Sequence, residues 1–360
     1  MKTAVFLGAG ASKAFGFPLT SELLPRMLEL LEDPSPDPLF EHAGVDLPGF
    51  RRRIEAFIPG LGPTWRRLRE SSPGKLPWLQ LGVTDVLTLL DHAVATGGVR
   101  AGMENDELQV FRRWLEVAIC IVLQRAEKER DPSKHEVNRG HFIDWLFRLR
   151  DDGELALMTT NYDLVVERPL FEKVASVDGP IERKVDFGFS WRDPASSELV
   201  PRPADAKVRL LKLHGSLNAL RCVLCGETYV NVLGDISQNG LKHGVDRWNT
   251  CICCDYARLR VNLVTPSLVR QVHDASLLGV WQAATEALRV ADQWFLIGYS
   301  LPSEDVAIRS LLARAWEGRT EKPKVVVIQK GDDVRQLHEL MFPGCEYFRD
   351  GLAAYPPLKS

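Results

Sequence analysis

The 360-residue chain contains no apolar stretch long enough to cross a bilayer. Its most apolar helical run, Val117 to Leu123, is seven residues, against the roughly 20 that a spanning helix needs. An excess of charge of either sign is also missing, with 45 Lys and Arg against 48 Asp and Glu and a net charge of -3. Nucleic-acid-binding domains usually carry a basic excess or a basic face. The short clusters Arg51-Arg52-Arg53 and Arg66-Arg67 read instead as solvated helix faces. No secretory h-region with a cleavage site follows Met1, so a cytoplasmic protein is expected. The full G-x-G-x-x-G dinucleotide fingerprint is absent too, as is a convincing acidic residue about 20 positions beyond the first glycines. Together these absences disfavour a membrane protein, a nucleic-acid binder and a standard hydride-transfer dehydrogenase.

Three short segments carry the positive reading: Gly8-Ala9-Gly10-Ala11-Ser12, Thr159-Thr160-Asn161-Tyr162-Asp163 and Lys212-Leu213-His214-Gly215-Ser216. Each follows a β-prone apolar run: Ala4 to Leu7, Leu155 to Met158, and Val208 to Leu211. In an open parallel sheet, ligands bind beyond the carboxyl ends of the strands. Three polar clusters at three such ends can converge on one crevice despite their separation in sequence.

The residue types suggest a nucleotide and a reaction performed on it. Gly8 and Gly10 lack Cβ atoms, so the backbone can turn tightly and approach a ligand closely. A helix starting there would aim free N–H groups at a phosphate. Asn161 can orient a water or a ribose hydroxyl without adding charge, and Asp163 can accept hydrogen bonds from a carboxamide. The alternative is that both cap a helix starting near Leu164. His214 supplies an imidazole, the usual general base, although a histidine after a strand can equally be structural.

Five of the seven cysteines, Cys222, Cys225, Cys251, Cys253 and Cys254, fall within 33 residues. In a cytosolic protein such a cluster reads as metal binding rather than disulfides. Four thiolates suit a closed, structural, tetrahedral zinc site. Cys222 and Cys225 pair with Cys251 and either Cys253 or Cys254; Cys254 restores the two-residue spacing.

Strands alternating with helices imply a parallel, doubly wound α/β sheet. The expected organisation is a Rossmann-like sheet domain made of residues 1–20, 151–220 and 263–360. A helical lobe at 21–150 is inserted in it, with Thr20 or Ser21 capping its first helix, and a zinc-binding module occupies 221–262. Two further strands are expected at Trp294 to Ile297 and Lys324 to Ile328.

In this order, the glycine turn, Asn161-Tyr162-Asp163, His214-Gly215, Cys222 to Cys254 and Gly298-Tyr299-Ser300 resemble the sirtuin-like superfamily. The resemblance implies an NAD-binding fold with structural zinc. It places the NAD phosphates on Gly8, Ala9, Gly10 and Ser12, the nicotinamide near Asp163, the ribose near Asn161 and His214, and the adenosine end near Gly298 and Ser300. Two departures separate the chain from protein-deacylating sirtuins. The Pro-Asp-Phe-Arg element after the glycine turn is replaced by Leu19-Thr20-Ser21, and the peptide-pairing Phe-Gly-Glu strand by Val264-Thr265-Pro266-Ser267. The Thr-Thr-Asn-Tyr-Asp, Leu-His-Gly-Ser and Gly-Tyr-Ser-Leu forms are similar to the prokaryotic branch known for NAD-consuming antiphage effectors. The resemblance therefore implies an NAD glycohydrolase that releases nicotinamide and ADP-ribose, or a cyclic form, with Asn161 and His214 catalytic. Control through a homo-oligomer or a separately encoded activating partner is expected. An NAD-dependent deacylase and a non-catalytic NAD or ADP-ribose sensor are the alternatives.

Overall fold

Apolar runs punctuated by glycine and polar turns become strands stacked side by side, and their carboxyl ends fall along one rim. The computed structural model describes residues 1–131, 133, 135, 139–254, 257–268 and 275–358. Its strands in chain order begin with β1 (Lys2–Leu7), β2 (Glu154–Thr159), β3 (Val185–Asp186), β4 (Trp191–Arg192), β5 (Leu199–Val200) and β6 (Val208–Lys212). They continue with β7 (Gly215–Cys222), β8 (Thr228–Val230), β9 (Leu259–Leu263), β10 (Gln293–Ile297), β11 (Lys324–Ile328) and β12 (Glu346–Phe348).

Seven strands form an all-parallel sheet in the order β12-β11-β10-β1-β2-β6-β3. The chain first builds outward from β1 through β2 to β6 and β3, then crosses back to add β10, β11 and β12 on the other side. The reversal falls between β1 and β10, the place where such sheets open a ligand crevice.

Among the described residues, eight α-helices lie between β1 and β2: α1 (Ala9–Ala14), α2 (Thr20–Glu32), α3 (Pro38–His42), α4 (Leu47–Phe57), α5 (Leu61–Ser71), α6 (Val83–Thr96), α7 (Asn105–Glu129) and α8 (Arg139–Asp151). Later come α9 (Glu167–Val177), α10 (Ile181–Lys184), α11 (Ser237–Leu241), α12 (Ala275–Val290), α13 (Val306–Glu317) and α14 (Arg335–Met341). The leucines and Met27 of α2 and the apolar stripe of α7 from Leu108 to Leu123 are buried, as their helical spacing predicts. The start of α2 differs from expectation. Leu19, not Thr20 or Ser21, is its N-cap, and the Leu19 N–H donates to the Glu22 carboxylate at 2.7 Å. A carboxylate at the third helical position can satisfy the cap amide itself, and here Lys13 also binds Glu22, at 2.7 Å. Among the described residues, no helix is long and apolar enough to cross a membrane.

Side chains alternate across each strand, so each strand feeds two cores. Val5, Leu7, Leu157, Phe295 and Ile328 join the core that runs into α8, α9 and the inserted helices. Ala4, Phe6, Met158, Leu296 and Val327 join the core beneath α12 and α13. Burial on both faces is what makes these strands continuous apolar runs.

A second sheet, absent from the sequence reading, orders β5-β4-β8-β7-β9. Its pairs are antiparallel except β4 with β8. The cysteine segment belongs to this sheet, which starts well before residue 221 and closes over a small core of Leu220, Cys222, Tyr229, Ile236, Cys251 and Leu259.

Candidate active site and cysteine cluster

Two glycine turns lock together at the sheet reversal. A Cβ on Gly8 would stand 2.5 Å from the Gly298 oxygen, and one on Gly298 would stand 2.1 Å from the Ala11 nitrogen. Gly298 also has φ +60°, a conformation that glycine adopts without penalty. The Gly8 N–H donates to the Ile297 carbonyl at 2.9 Å, Gly10 N–H to Gly298 at 2.9 Å, and Ala11 N–H to Gly8 at 3.0 Å. These amides are engaged by carbonyls rather than aimed outward, and α1 is only six residues long. What the turn offers a ligand is close backbone approach.

Asn161 is held against this turn. Its Nδ2 donates to the Gly8 carbonyl at 2.9 Å and to Ser12 Oγ at 2.7 Å. Its own N–H donates to Thr159 Oγ1, whose hydroxyl donates to the Leu7 carbonyl. The amide donors are spent, which leaves Oδ1 as the acceptor the side chain has to give. Asp163 is buried, and its Oδ1 accepts the Val165 N–H at 3.2 Å. The helix that follows starts at Glu167, later than the capping alternative placed it.

A buried ion pair lies beneath the Asp163 loop. Lys212 Nζ donates to the Asp163 backbone carbonyl at 2.6 Å and to the Glu167 carboxylate. Burial raises the Glu167 carboxyl above its ordinary range and Lys212 opposes this, while the Asp163 charge adds to the rise. Lys212 opens the His214 segment but was given no role there, and Glu167 lies outside every motif, so the pair was invisible in the sequence.

His214 is buried at the point where the chain leaves β6 and enters β7. Gly215 has φ +79°, and a Cβ there would meet the Asn262 carbonyl at 1.9 Å. The Val264 N–H donates to the His214 carbonyl at 2.8 Å, and the Tyr162 hydroxyl donates to the Val264 carbonyl at 2.6 Å. His214 thus stands at the joint between the two sheets.

Two adjoining cavities open here. The larger, 720 Å³, follows the β1 and β10 turns towards β11 and is lined by Ala9, Gly10, Gly298, Ser300 and Lys330 among others. The smaller, 80 Å³, is lined by Ser12, Asn161, Asp163 and His214. Ala9, Thr20, Thr160, Pro302, Glu304 and Asp305 border both. Gly8 is the one expected site residue outside these two linings; it stands behind the crevice, backing Asn161 and Gly298. The inserted helices close the smaller cavity with Thr84 and Leu123. They also grip the segment after β9: Arg112 donates to Thr265 Oγ1 at 2.9 Å, and the Leu268 N–H donates to Thr88 Oγ1 at 2.9 Å. Glu304 and Asp305 went unnoticed in the sequence, where they read as ordinary loop acids after Leu301-Pro302.

The Sγ atoms of Cys222, Cys225, Cys251 and Cys254 all lie within 4.8 Å of one another. Cys253 is exposed and outside this set. The Leu224 N–H donates to Cys222 Sγ and the Cys253 N–H to Cys251 Sγ, each at 3.4 Å and each two residues on. The two halves thus form matching knuckles whose amides stabilise thiolates. Burial pushes the Cys225 thiol up to about 12, with neighbouring cysteines adding to the rise. Four such sulfurs fit a tetrahedral cation that would hold them as thiolates.

The SIR2-like domain family matches residues 155–342. A search of curated proteins finds no match. Among solved structures, a Sir2 complex with p53 peptide and NAD+ is 14% identical, covers 99% of this chain and 91% of its own, and has a TM-score of 0.40. A Sir2 homologue–NAD complex is 13% identical, with 99% and 86% covered and a TM-score of 0.40. A structure described for the mechanism and regulation of Sir2 enzymes is 15% identical, with 99% and 90% covered and a TM-score of 0.38. The family match takes in β2, β6, His214, all four clustered cysteines and the Gly298 turn. With 188 of its 360 residues matched, the chain belongs to the SIR2-like domain family.

Proposed function

We propose that the protein binds NAD across the two cavities and hydrolyses its nicotinamide–ribose bond, releasing nicotinamide and ADP-ribose. The observation that carries this reading is the division of the crevice. A large chamber runs along the two glycine turns, and a small one gathers Asn161, Asp163 and His214. The large chamber takes the adenosine and phosphates against Ala9, Gly10, Gly298 and Ser300. The small one takes the nicotinamide and its ribose.

Asn161 Oδ1 holds the ribose or the attacking water, because its amide nitrogen is already committed to Gly8 and Ser12. Asp163 orients the carboxamide. His214 accepts a proton from a ribose hydroxyl or from the water. Thr84 and Leu123 of the inserted helices line one wall of the chamber. Zinc at the four cysteines is structural and fixes strand β7, which begins at Gly215 and ends at Cys222.

Hydrolysis is favoured over transfer to an acyl-lysine peptide by the segment after β9. Val264 engages His214 and Tyr162, and Leu268 engages Thr88, while Pro266 has no N–H to give. A peptide adding there as a strand would find few free backbone partners. The prokaryotic defence role is proposed from the motif forms alone.

Asn161→Ala and His214→Ala should each lower nicotinamide release by at least about 100-fold while leaving the far-UV spectrum and unfolding midpoint within error. Turnover within threefold of wild type in either variant would refute its catalytic role.

A further inference from the structure

We propose that Glu304 is a further catalytic residue, the carboxylate that faces the positive charge of the substrate on both sides of bond cleavage. The inference rests on the cleavage reading above and deepens it. Glu304 borders both cavities, so it stands where the nicotinamide ribose passes from one chamber to the other. The linings differ in charge. Glu304 and Asp305 are shared; the large cavity adds Lys13 and Lys330, which suits phosphates, whereas the small one adds Asp163 and has no Lys or Arg among its described residues.

Two of those three acids already have structural work. Asp163 caps the Val165 N–H. Asp305 precedes α13, accepts the Tyr299 hydroxyl at 3.3 Å and is buried. Glu304 accepts from its neighbour Ser303 at 3.3 Å and, with Asp163 assigned to the carboxamide, is the acid at the border of the chambers that has no role yet. Its loop is anchored rather than loose. Leu301 is buried with φ +54°, a left-handed conformation uncommon for a leucine and held only where the surroundings impose it. The Asp305 N–H closes the turn on the Pro302 carbonyl at 3.1 Å.

In the substrate the charge sits on the pyridinium ring. As the C1′–N bond breaks, its electron pair moves to the ring nitrogen and nicotinamide departs neutral. The positive charge passes to C1′ and the ring oxygen of the ribose. Water then forms the new C1′–O bond and gives up one proton to His214. A fixed carboxylate at the border of the chambers favours both the cationic ring and the oxocarbenium-like transition state, and it strengthens as charge reaches the sugar.

The test uses the full-length protein in two measurements. Nicotinamide release is followed for wild type, Glu304→Gln and Glu304→Asp. NAD+ and NADH binding, which differ in ring charge, are titrated in a His214→Ala background with and without Glu304→Gln. The expected result is a fall in kcat of about 100-fold or more for Glu304→Gln with KM changed less than about threefold. Glu304→Asp should recover part of the rate, and Glu304→Gln should erode the preference for NAD+ over NADH. Wild-type turnover matched by Glu304→Gln would overturn the role of Glu304 and leave hydrolysis standing. A silent wild type whose NAD+ preference still depends on Glu304 would overturn hydrolysis and keep Glu304 as the partner of the cation. An unchanged NAD+ to NADH ratio would overturn the proposal.

Discussion

The two sheets of this protein are stabilised by different means. The seven-stranded sheet buries both faces, and its strands are nearly continuous apolar runs such as Ala4-Val5-Phe6-Leu7. The five-stranded sheet joins the main core on one side through Trp191, Leu217, Ala219 and Val230, and on the other closes over a separate core of six residues, two of them cysteines. On the cysteine side so small an apolar cluster supplies little of the free energy needed to order the loops there, which leaves that side to whatever binds the sulfurs. His214 joins the two sheets, so its position depends on the cysteine-bearing one.

Removing the metal should produce the largest separation between the sheets. We expect one zinc per chain, and chelation should open β7, β8 and β9 to hydrogen exchange while β1, β2 and β10 stay protected. Ligand loss in small zinc domains can cost about 10 kcal/mol, so nicotinamide release should fall to background with it. Cys254→Ser should mimic chelation, whereas Cys253→Ser should not. Equal exchange in the two sheets after chelation would remove the distinction.

Next in size is the ion pair inside the stronger sheet. Lys212→Met leaves the Glu167 carboxyl buried without its cation, an effect of about 3–5 kcal/mol when a charge is stranded. Urea unfolding should show that loss, and Lys212→Met with Glu167→Leu should recover most of it. If the double variant is no more stable than the single one, the pair is not what the Asp163 loop leans on.

The smallest effect concerns His338, fully buried under β11 with Nδ1 2.9 Å from the Val334 carbonyl and Nε2 3.0 Å from the Tyr299 carbonyl. Burial lowers its pKa below the ordinary value, although the two carbonyls oppose this. The unfolded chain therefore takes up a proton before the folded one does as pH falls below about 6.5. Stability from this group is present above that value and is lost as pH drops towards the folded pKa. Unfolding midpoints between pH 7.5 and 5.5 should decline in wild type and decline less in His338→Gln; parallel slopes would show that His338 titrates alike in both states.

The same contrast decides what was legible in the sequence. Strands buried on both faces leave apolar runs, and polar residues directly after Leu7, Thr159 and Leu213 mark their ends, so the parallel sheet and the positions of Asn161 and His214 could be read. The shorter strands could not. β4 and β5 are two residues each, β8 is three, and β7 is interrupted by polar residues. The cysteine spacing pointed to the four-sulfur cluster but not to the sheet around it. Glu304 and the pairing of Lys212 with Glu167 became visible only when distant segments came together, because no local pattern marks Glu304 or Glu167.

The most direct test of the central claim is nicotinamide release from NAD by the purified wild-type protein, measured with and without an acyl-lysine peptide. Hydrolysis requires release without peptide, one ADP-ribose per nicotinamide, and no stimulation when peptide is added. Release only in the presence of peptide, with O-acyl-ADP-ribose as the product, would contradict it.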